Sequence, residues 1–497
     1  MRTIVALGLC GLGLIGVPAC GGGGGGDTEG EAGSGTGMSG ASGEDPTTGP
    51  PPPPPDDGPP PGTLDECGGF EGGTNLNVCT ASYLGGAMAD TANAVEIGID
   101  GAVVVAGSLV GTDLGATATA LAGGGDGAVV RLSASGGAVL SVTRIGQEVL
   151  DMSLDFETGD LAIAGPGVGV AVLDATASAL VWQQPVEGAR RVSIGTGGVV
   201  AVLADKTITT YDALGSQLGS FTLMDGNVED LAVHGTQRVI VTGWNQVGGN
   251  LQQPFLRAYS PTGELQWTNY DWSDAEAGGP DTRGMVVTIG RDGKLYYGGE
   301  SHGGGSSHGQ DPRDIAKPAP IVKFDKFNDP YNWNGSAPLA FYARFDPEDG
   351  LIEMGQFIVP RLSSGKGNGA GISALAARED GTVIVGGGSA CCIEGGDTKT
   401  INGMQAMPDY AGGGFVLVAS PQFDQRLVWT AWKGDGAGNG ERVTGVAAAG
   451  AGMALVMTHG PGDESGAVDG RLVTSKALQF EPAGGPSEAW LSVWPGP

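Results

Sequence analysis

A short pattern recurs seven times in this sequence and limits the folds that the chain can adopt. The pattern is a tight turn, a short apolar run and then Gly or another small residue, as in DGAVVVAG from Asp100. An alternating apolar run precedes each copy. Short apolar runs bounded by Gly-containing turns predict β-hairpins rather than helices. The other six copies begin at Thr158, Thr196, Gly235, Arg291, Glu379 and Gly450.

A second hairpin follows each copy, as in VVRLSASGGAVLSV from Val129 and FLRAYSPTGELQW from Phe255. Each unit therefore contains four short strands joined by tight turns. Four-stranded units that repeat at roughly 40 residues or more are typical of β-propellers, because one blade alone leaves both of its apolar faces uncovered. The sequence predicts an all-β fold, a seven-bladed β-propeller over residues 91–497, with eight blades as the alternative.

The two ends of the predicted ring must be joined. Residues 64–90 are predicted to be an entry segment, and the run 78–84 within it is expected to pair beside 489–494 as a clasp strand. The last unit is predicted to be RLVTSKALQF followed by an outer strand AWLSVW. Four tryptophans occupy corresponding positions in the predicted outer strands, and we expect them to pack between blades: Trp182, Trp267, Trp429 and Trp490.

The first unit resembles a known family. YLGGAMADTANAVEIGIDGAVVVAG, from Tyr83, is similar to the bacterial β-propeller repeat, whose units contain a YLGG entry, an acidic-Gly turn and a V-x-G strand. VLDATASALVW and YSPTGELQW resemble the repeat of quinoprotein propellers. As a pattern the resemblance extends over residues 80–497. It implies a propeller fold and a role at the cell envelope or cell surface.

Residues 1–19 have the composition of a signal peptide, with Arg2 before an apolar run that is short for a membrane-spanning helix. The run ends in VPAC, which resembles the lipobox of bacterial lipoproteins and implies lipidation of Cys20. By the same analogy, Gly21 implies an outer-membrane lipoprotein. Val-Pro-Ala also fits an ordinary cleavage site, so a secreted protein is the alternative.

Residues 20–63 are rich in Gly, Ser, Thr and Pro and are predicted to be a disordered tether, because they contain too few apolar side chains to form a core. The tether would hold the propeller away from the membrane to which the lipid is attached. The net charge of −30 repels nucleic acid, so no nucleic-acid partner is expected.

The predicted connections between strands differ greatly in length. In a propeller, the connection between the second and third strands and the connection to the next blade open on the same face. The long connections all fall on that face, and we expect it to bind a ligand, because binding residues concentrate on loops held by a rigid scaffold. These connections are 108–126, 271–281, 301–337, 361–370, 389–413, 433–441 and 460–466.

Four cysteines remain after the lipobox: Cys67, Cys79, Cys391 and Cys392. An even number in an exported protein predicts two disulfides, with three possible pairings. A Cys67–Cys79 pairing closes a small loop at the domain entry, and the other bond is then a vicinal disulfide. The resemblance to quinoproteins adds that such vicinal rings lie under the quinone cofactor in that family.

Two groups of residues in the long connections have metal-binding chemistry without matching a strong metal motif. The first group lies in a Gly-rich connection: Glu300, His302, His308, Asp311 and Asp314. The second offers hard oxygen ligands for calcium: Asp435, Asn439 and Glu441. No cofactor is predicted, and calcium and a quinone are the alternatives.

The candidate ligand-binding residues on the long-connection face are mostly aromatic, a type that stacks on sugars or anchors a protein partner. They are Trp272, His302, His308, Tyr331, Trp333, Tyr410 and Trp432. The sequence contains no nucleophile elbow and no nucleotide-binding P-loop. We therefore expect a binding or scaffold module for a protein or glycan ligand. The alternative is an extracytoplasmic enzyme, either a quinone-dependent oxidoreductase or a polysaccharide-active enzyme.

Overall fold

The computed structural model describes residues 75–248, 251–273, 279–303, 305–330, 337–393, 400–401, 404–405, 412–432, 442–450, 452–459 and 473–494. These residues form β-strands and two short 3-10 helices, Ser307–Gly309 and Lys326–Asn328. No helix among them is long and apolar enough to cross a bilayer. The predicted signal peptide 1–19 and tether 20–63 lie outside the described residues.

Seven antiparallel sheets of four or five strands form a ring, which confirms the predicted all-β, seven-bladed β-propeller rather than the eight-bladed alternative. From blade 1 to blade 7, the innermost strands are Thr91–Ile97, Asp151–Leu154, Ala189–Ile194, Asn227–His234, Thr282–Ile289, Ala370–Ala377 and Val443–Ala449. The second strands are Val103–Ser108, Leu161–Gly165, Val200–Ala204, Arg238–Gln246, Leu295–Ser301, Val383–Ser389 and Gly452–His459.

The third strands, in the same order, are Gly127–Leu132, Gly169–Leu173, Thr207–Tyr211, Gln252–Tyr259, Leu339–Phe345, Gly413–Ala419 and Glu488–Trp494. The outer strands are Val139–Arg144, Leu180–Gln184, Gln217–Thr222, Leu265–Tyr270, Ile352–Ile358, Arg426–Ala431 and Thr80–Tyr83. Ala118–Ala120 adds a fifth strand, parallel to the outer strand of blade 1. Short pairings outside the blades join Gln310–Asp311 with Asp314–Pro318, Asn75–Leu76 with Thr400–Ile401, and Thr400–Ile401 with Met404–Gln405.

The hydrophobic core lies between the blades. The described residues form seven apolar clusters, and each cluster combines side chains of two adjacent blades. Between blades 7 and 1, for example, Val95 and Val105 pack with Ala454 and Leu491. Each blade is therefore covered on both faces only when the ring is complete, so stability depends on closure.

The small residue at the end of the repeated pattern has a steric cause. A Cβ at Gly107 would lie 2.0 Å from the carbonyl oxygen of Thr91, and one at Gly243 would lie 1.9 Å from that of Asn227. In both blades this is where the second strand passes the start of the innermost strand, next to a β-bulge. Only glycine allows this close approach of the two backbones.

The first strand of the propeller closes the ring. Thr80–Tyr83 pairs antiparallel with Glu488–Trp494, with Thr80 opposite Val493 and Tyr83 opposite Trp490. The outer strand of blade 7 thus comes from the start of the propeller and its other strands come from the end. This is the clasp that the sequence pattern predicts between 78–84 and 489–494.

The prediction for the last unit is wrong in its strand assignment. Residues 473–487, which include most of the predicted strand RLVTSKALQF, contain no strand, and Glu488–Trp494 is the third strand rather than the outer one. Every residue of Glu488–Trp494 is buried, as expected of a strand with a neighbour on each side. The outer strand Gln217–Thr222 of blade 3, in contrast, is mostly exposed.

The four tryptophans predicted on outer strands pack between blades, but one of them, Trp490, lies on a third strand. Trp182 contacts the turn glycine Gly215 of the next blade, and Trp267 contacts the equivalent Gly350, both of which have positive φ. Trp429 is fully buried in the cluster between blades 5 and 6. Trp490 lies on the third strand, because the clasp strand takes the outer position.

Ser82, in the clasp strand, provides a test of ring closure. Its buried Oγ accepts hydrogen bonds from the backbone N–H groups of Leu478 (3.0 Å) and Gln479 (3.1 Å). We expect Ser82→Ala to lower the free energy of unfolding by about 2 kcal/mol, because both donors lose their acceptor. The exposed Ser178→Ala is the matched control, with a change within about 0.5 kcal/mol. Equal urea midpoints for the two variants would contradict this role of the clasp.

Candidate functional site: an axial cavity

The innermost strands of all seven blades surround a cavity of about 150 Å³ on the propeller axis. Pairing with the second strands aligns one position from each blade around this cavity, directly after the bulge where a bulge is present. From blade 1 to blade 7 these residues are Ala94, Asp151, Arg191, Asp230, Val286, Ala374 and Gly445. Glu96 lies two residues further along the strand of blade 1 and also lines the cavity.

Charge is concentrated on one side of the ring, in blades 2, 3 and 4. Arg191 lies between the two aspartates, with its Nε 3.7 Å from Oδ1 of Asp230. Each aspartate also accepts a hydrogen bond through Oδ2 from the next blade: Asp151 from the N–H of Val192 (2.8 Å) and Asp230 from that of Val287 (2.9 Å). One oxygen of each carboxylate therefore joins adjacent blades, and the Oδ1 of Asp230 lies near Arg191.

Burial changes the protonation of these groups. Desolvation raises the pKa of Glu96 to about 8, against a lowering effect of Arg291, and raises the pKa of Asp230 to about 7, against a lowering effect of Arg191. Desolvation also raises the pKa of Asp151. Because a carboxylate is costly to hold without a counter-charge in such surroundings, a cation in the cavity would be favoured.

Other polar side chains of the innermost strands also bond to the neighbouring blade. Ser193 Oγ accepts from the N–H of Val233 (2.9 Å). Ser153 Oγ accepts from the N–H of Ile194 (3.2 Å). These bonds satisfy backbone groups that would otherwise remain unpaired at the edge of each innermost strand, and so hold the cavity wall in a fixed geometry.

Arg291 closes the cavity at the face that has the short turns. Its Nε donates to the carbonyl oxygen of Ala448 in blade 7 (2.6 Å), and its Nη2 donates to that of Ile97 in blade 1. Its guanidinium carbon is 4.7 Å from the ring centre of Phe156 in blade 2. A side chain from blade 5 that reaches blades 7, 1 and 2 must cross the axis. Arg291 therefore blocks access to the cavity from this face and leaves the long-connection face as the side from which a group can enter.

The connections between the second and third strands are longest in blades 5, 6 and 7, on one side of the ring. Between their second and third strands, blades 2 and 3 have only residues 166–168 and 205–206, whereas blades 5 and 6 have 302–338 and 390–412. Blade 7 has 460–487 in the same place. Asp151 and Arg191 belong to blades 2 and 3, whose connections between the second and third strands are short. These charged side chains therefore lie on the side of the ring where the connections add few residues to the face.

Two of the candidate binding residues lie on the long-connection face. Trp272 is partly buried and packs edge-on against Tyr270, with the ring centres 5.6 Å apart. His302 is also partly buried, with Nε2 3.9 Å from Oε1 of Glu300. Glu300 in turn forms a salt bridge of 2.9 Å with Arg283. Both candidates are close to the surface at the junction of blades 4 and 5.

Two other candidates are core residues, and their prediction as surface ligands is wrong. His308 is fully buried, stacks on Phe341 at 4.5 Å and shares a 2.8 Å hydrogen bond with the hydroxyl of Tyr297. Trp432 is buried between Trp490 and Trp494, with ring centres 5.5 and 6.3 Å away. The first predicted metal group is therefore not assembled, and the described residues contain no group of three or more metal-ligating side chains.

The remaining predicted site residues lie outside the described residues. They are the lipidation residue Cys20, the cysteine Cys67, the aromatic residues Tyr331, Trp333 and Tyr410, and the calcium candidates Asp435, Asn439 and Glu441. Cys79 is disulfide-bonded.

Cys391 and Cys392 form a vicinal disulfide on the long-connection face. The backbone N–H of Arg361 donates to the carbonyl oxygen of Cys392 (3.0 Å), and Asn368 Nδ2 donates to Cys391 Sγ (3.1 Å). The disulfide thus holds the connection of blade 6 against the connection between blades 5 and 6. It does not line the axial cavity.

The axial cavity does not fit a quinone cofactor. Its described lining includes no aromatic ring on which a planar quinone could stack, and its volume of about 150 Å³ is small for a ring system with several fused rings. The vicinal disulfide also lies outside the cavity, so the two features do not form one quinone site.

The charged cavity was not predicted from sequence, although a pattern for it is present. The innermost strands read AVEIG, DMSL, RRVSI and EDLAV, so each places a charge inside an otherwise apolar run. Of these charges, Glu96, Asp151, Arg191 and Asp230 line the cavity, whereas Arg190 and Glu229 do not. The lengths of the connections, on which the prediction relied, contain no information about the axis.

His308 provides a test of burial by pH. Burial lowers the pKa of His308 to about 3, so the folded protein keeps it neutral, whereas the unfolded chain binds a proton below about pH 6.5. This contribution to stability is present above pH 6.5 and is lost as pH falls toward 3. We expect the free energy of unfolding of the wild type to fall about 1.4 kcal/mol more steeply per pH unit, between pH 6 and 4, than that of His308→Phe. Parallel curves in urea titrations would refute the buried neutral imidazole.

Comparison with known proteins gives a likeness of fold only. No protein-family model and no curated protein matches the chain. Solved structures that are similar include the WD40 repeats of RRP9, with TM-score 0.48 and 11% identity over 85% of this chain and 100% of that chain. U3-55K has TM-score 0.47 and 10% identity over 84% and 99% of the two chains, and a chain of the mitotic checkpoint complex has 0.43 and 11% over 78% and 89%. At these TM-scores no inference about function follows, and the propeller assignment rests on the strand pairing described above.

Proposed function

We propose that this protein is a binding module of the cell envelope, a propeller that holds a protein partner on its long-connection face. In this proposal a cationic side chain of the partner enters the axial cavity. The observation that supports it is the arrangement of Glu96, Asp151 and Asp230 in a cavity that is closed by Arg291 at one end and opens among the long connections at the other.

The chemistry of the cavity favours a lysine or arginine side chain as the inserted group. Three carboxylates line the cavity against one arginine, and burial raises the pKa of each carboxyl group. The charge of an inserted ammonium or guanidinium group would lower those pKa values. Such a group only donates hydrogen bonds, which the carboxylates of the wall can accept. Its own desolvation is offset only where the carboxylates are fixed in place, as the bonds to Val192 and Val287 fix them here.

The double variant Glu96→Gln, Asp230→Asn tests this mode of binding. Both changes keep the side-chain shape and one acceptor oxygen while removing the charge. We expect the full-length variant, used as bait in solubilised envelope extract, to recover the partner at least about tenfold less than wild type. The wild-type interaction should also weaken as free lysine or arginine is added.

The matched control is Glu264→Gln, which removes one exposed charge from a turn on the opposite face. It should recover the partner as well as wild type does. Equal recovery by the double variant and by wild type would refute the role of the cavity. Release of the partner by soluble glycan instead of by lysine would indicate a glycan ligand.

The lipid anchor is the second part of the proposal and is supported by the sequence VPAC and the tether that follows it. Several acyl chains hold a protein firmly in a bilayer, whereas cleavage without lipidation releases it. We expect Cys20→Ala to move the protein from the outer-membrane fraction to the soluble fraction and to abolish incorporation of labelled palmitate. Cys10→Ala is the control. A wild-type protein found only in the medium would support the secreted alternative.

A polysaccharide-active enzyme is the second candidate, because the raised pKa values of Glu96 and Asp230 suit a carboxylic acid that donates a proton near neutral pH. The same double variant distinguishes the two functions. An enzyme would release reducing sugar from an envelope polysaccharide, and the double variant would lose this activity by at least about a hundredfold. A binding module shows no such release in wild type.

A further inference from the structure

Two buried carboxylates meet where the ends of the propeller are joined. Asp90 ends the segment that leads from the clasp strand Thr80–Tyr83 into blade 1, and Glu488 begins the third strand of blade 7. Asp90 is 0% exposed and Glu488 is 5% exposed. Neither forms a salt bridge with a described Lys or Arg, although buried carboxylates are normally paired.

The hydrogen bonds of Asp90 fix its carboxylate. Its Oδ2 accepts from the N–H of Gly86 and its Oδ1 accepts from that of Val110, both at 2.6 Å. The nearby Arg144 is engaged elsewhere, because its guanidinium bonds Asp113 and the carbonyl oxygens of Leu109, Thr112 and Asp126. The carboxylate of Asp90 therefore forms neither an ion pair nor a hydrogen bond with the guanidinium of Arg144.

Glu488 is half satisfied. Its Oε1 accepts from the N–H groups of Gly484 (2.9 Å) and Gly485 (3.2 Å). Its Oε2 is buried and has no hydrogen-bond partner among the described residues. A buried carboxylate oxygen without a protein partner requires a bound cation, a proton or a water molecule to satisfy it.

The free oxygen of Glu488 is directed at Asp90. A Cβ built on Gly85, which separates them, would lie 2.2 Å from Glu488 Oε2 and 2.9 Å from Asp90 Oδ2, so the two oxygens are at most about 5 Å apart. Calcium binds oxygen at about 2.3–2.6 Å, so one ion contacts both oxygens when they are less than about 5 Å apart and the ion lies beside Gly85. Magnesium requires about 2.0–2.1 Å and near-ideal octahedral geometry, which irregularly placed carboxylates satisfy less well than the flexible geometry of calcium.

We propose that Asp90 and Glu488 bind one calcium ion, which joins the start of blade 1 to blade 7 at the ring closure. Oxygen-only ligands on a buried pair select a hard cation over zinc or copper. Burial raises the pKa of both carboxyl groups, and the charge of Asp90 raises that of Glu488 further, which is the cost that the ion would remove. This site lies on the long-connection face at the ring closure, and it does not depend on the proposed partner.

Calcium binding by the full-length chain at pH 7.5, after treatment with EDTA, tests the proposal. We expect 1 mM CaCl₂ to raise the Tm of wild type by about 3 °C, and the same concentration of MgCl₂ to raise it much less. Glu488→Gln keeps the Oε1 acceptor for Gly484 and Gly485 and removes the charge at Oε2. It should lose the Tm shift, and its affinity for calcium in isothermal titration should fall at least tenfold.

Two further variants keep the test specific. Glu264→Gln, on an exposed turn, should respond to calcium as wild type does. Asp435→Asn removes a ligand of the calcium site predicted from sequence and should also retain the response. Loss of binding in Asp435→Asn but not in Glu488→Gln would overturn the proposal. So would a wild type that binds no calcium. If its Tm then falls from pH 5 to pH 8 while that of Glu488→Gln does not, the pair shares a proton instead.

Discussion

The structure depends on the pairing of the strand Thr80–Tyr83 with Glu488–Trp494. Each of the seven apolar clusters lies between two blades, so the cluster between blades 7 and 1 exists only when the two ends of the propeller meet. The apolar cluster between blades 6 and 7, which contains Trp432, Trp490 and Trp494, depends on the same pairing, because Tyr83 of the clasp strand belongs to it. Closure thus converts seven marginal sheets, each with two apolar faces, into one cooperative unit.

The closed ring also explains the polar axis. The unpaired edges of the innermost strands face one another around the axis. Polar side chains such as Asp151, Ser193 and Asp230 accept hydrogen bonds from backbone N–H groups of the next blade. The same aspartates also line the cavity. One set of side chains therefore stabilises the contact between blades and provides the charge that we propose a partner recognises.

Much of the fold follows from local patterns in the sequence. The seven copies of the turn, apolar strand and glycine correspond to seven second strands, since the bulge of the innermost strand leaves no space for a side chain at Gly107 or Gly243. The outer strand of blade 7 was misassigned because AWLSVW has the same apolar pattern whether it is a third or an outer strand. Which of these it is depends on residues 80–83, some 400 positions away in the chain.

The candidate site was harder to predict. His308 lies in the Gly-rich stretch SHGGGSSHGQ, which is typical of an exposed loop, yet the fold places the ring on Phe341 and under Tyr297. Trp432 directly follows an outer strand, yet it also packs into the core, against Trp490. In both cases tertiary contacts, rather than the local sequence, determine burial. The charges of Glu96, Arg191 and Asp230 are visible in the sequence. Their convergence is not, because it follows from a ring that brings different blades together.

The central claim is that the partner sits on the long-connection face, and site-specific photocrosslinking in intact cells tests it most directly. A photoreactive benzoylphenylalanine in place of Trp272 lies on that face, whereas one in place of Leu214, which is 85% exposed, lies on a turn of the opposite face. The account predicts a discrete protein adduct from position 272 and none from position 214. An adduct from position 214 alone would contradict the account, since it would place the partner on the face that Arg291 closes.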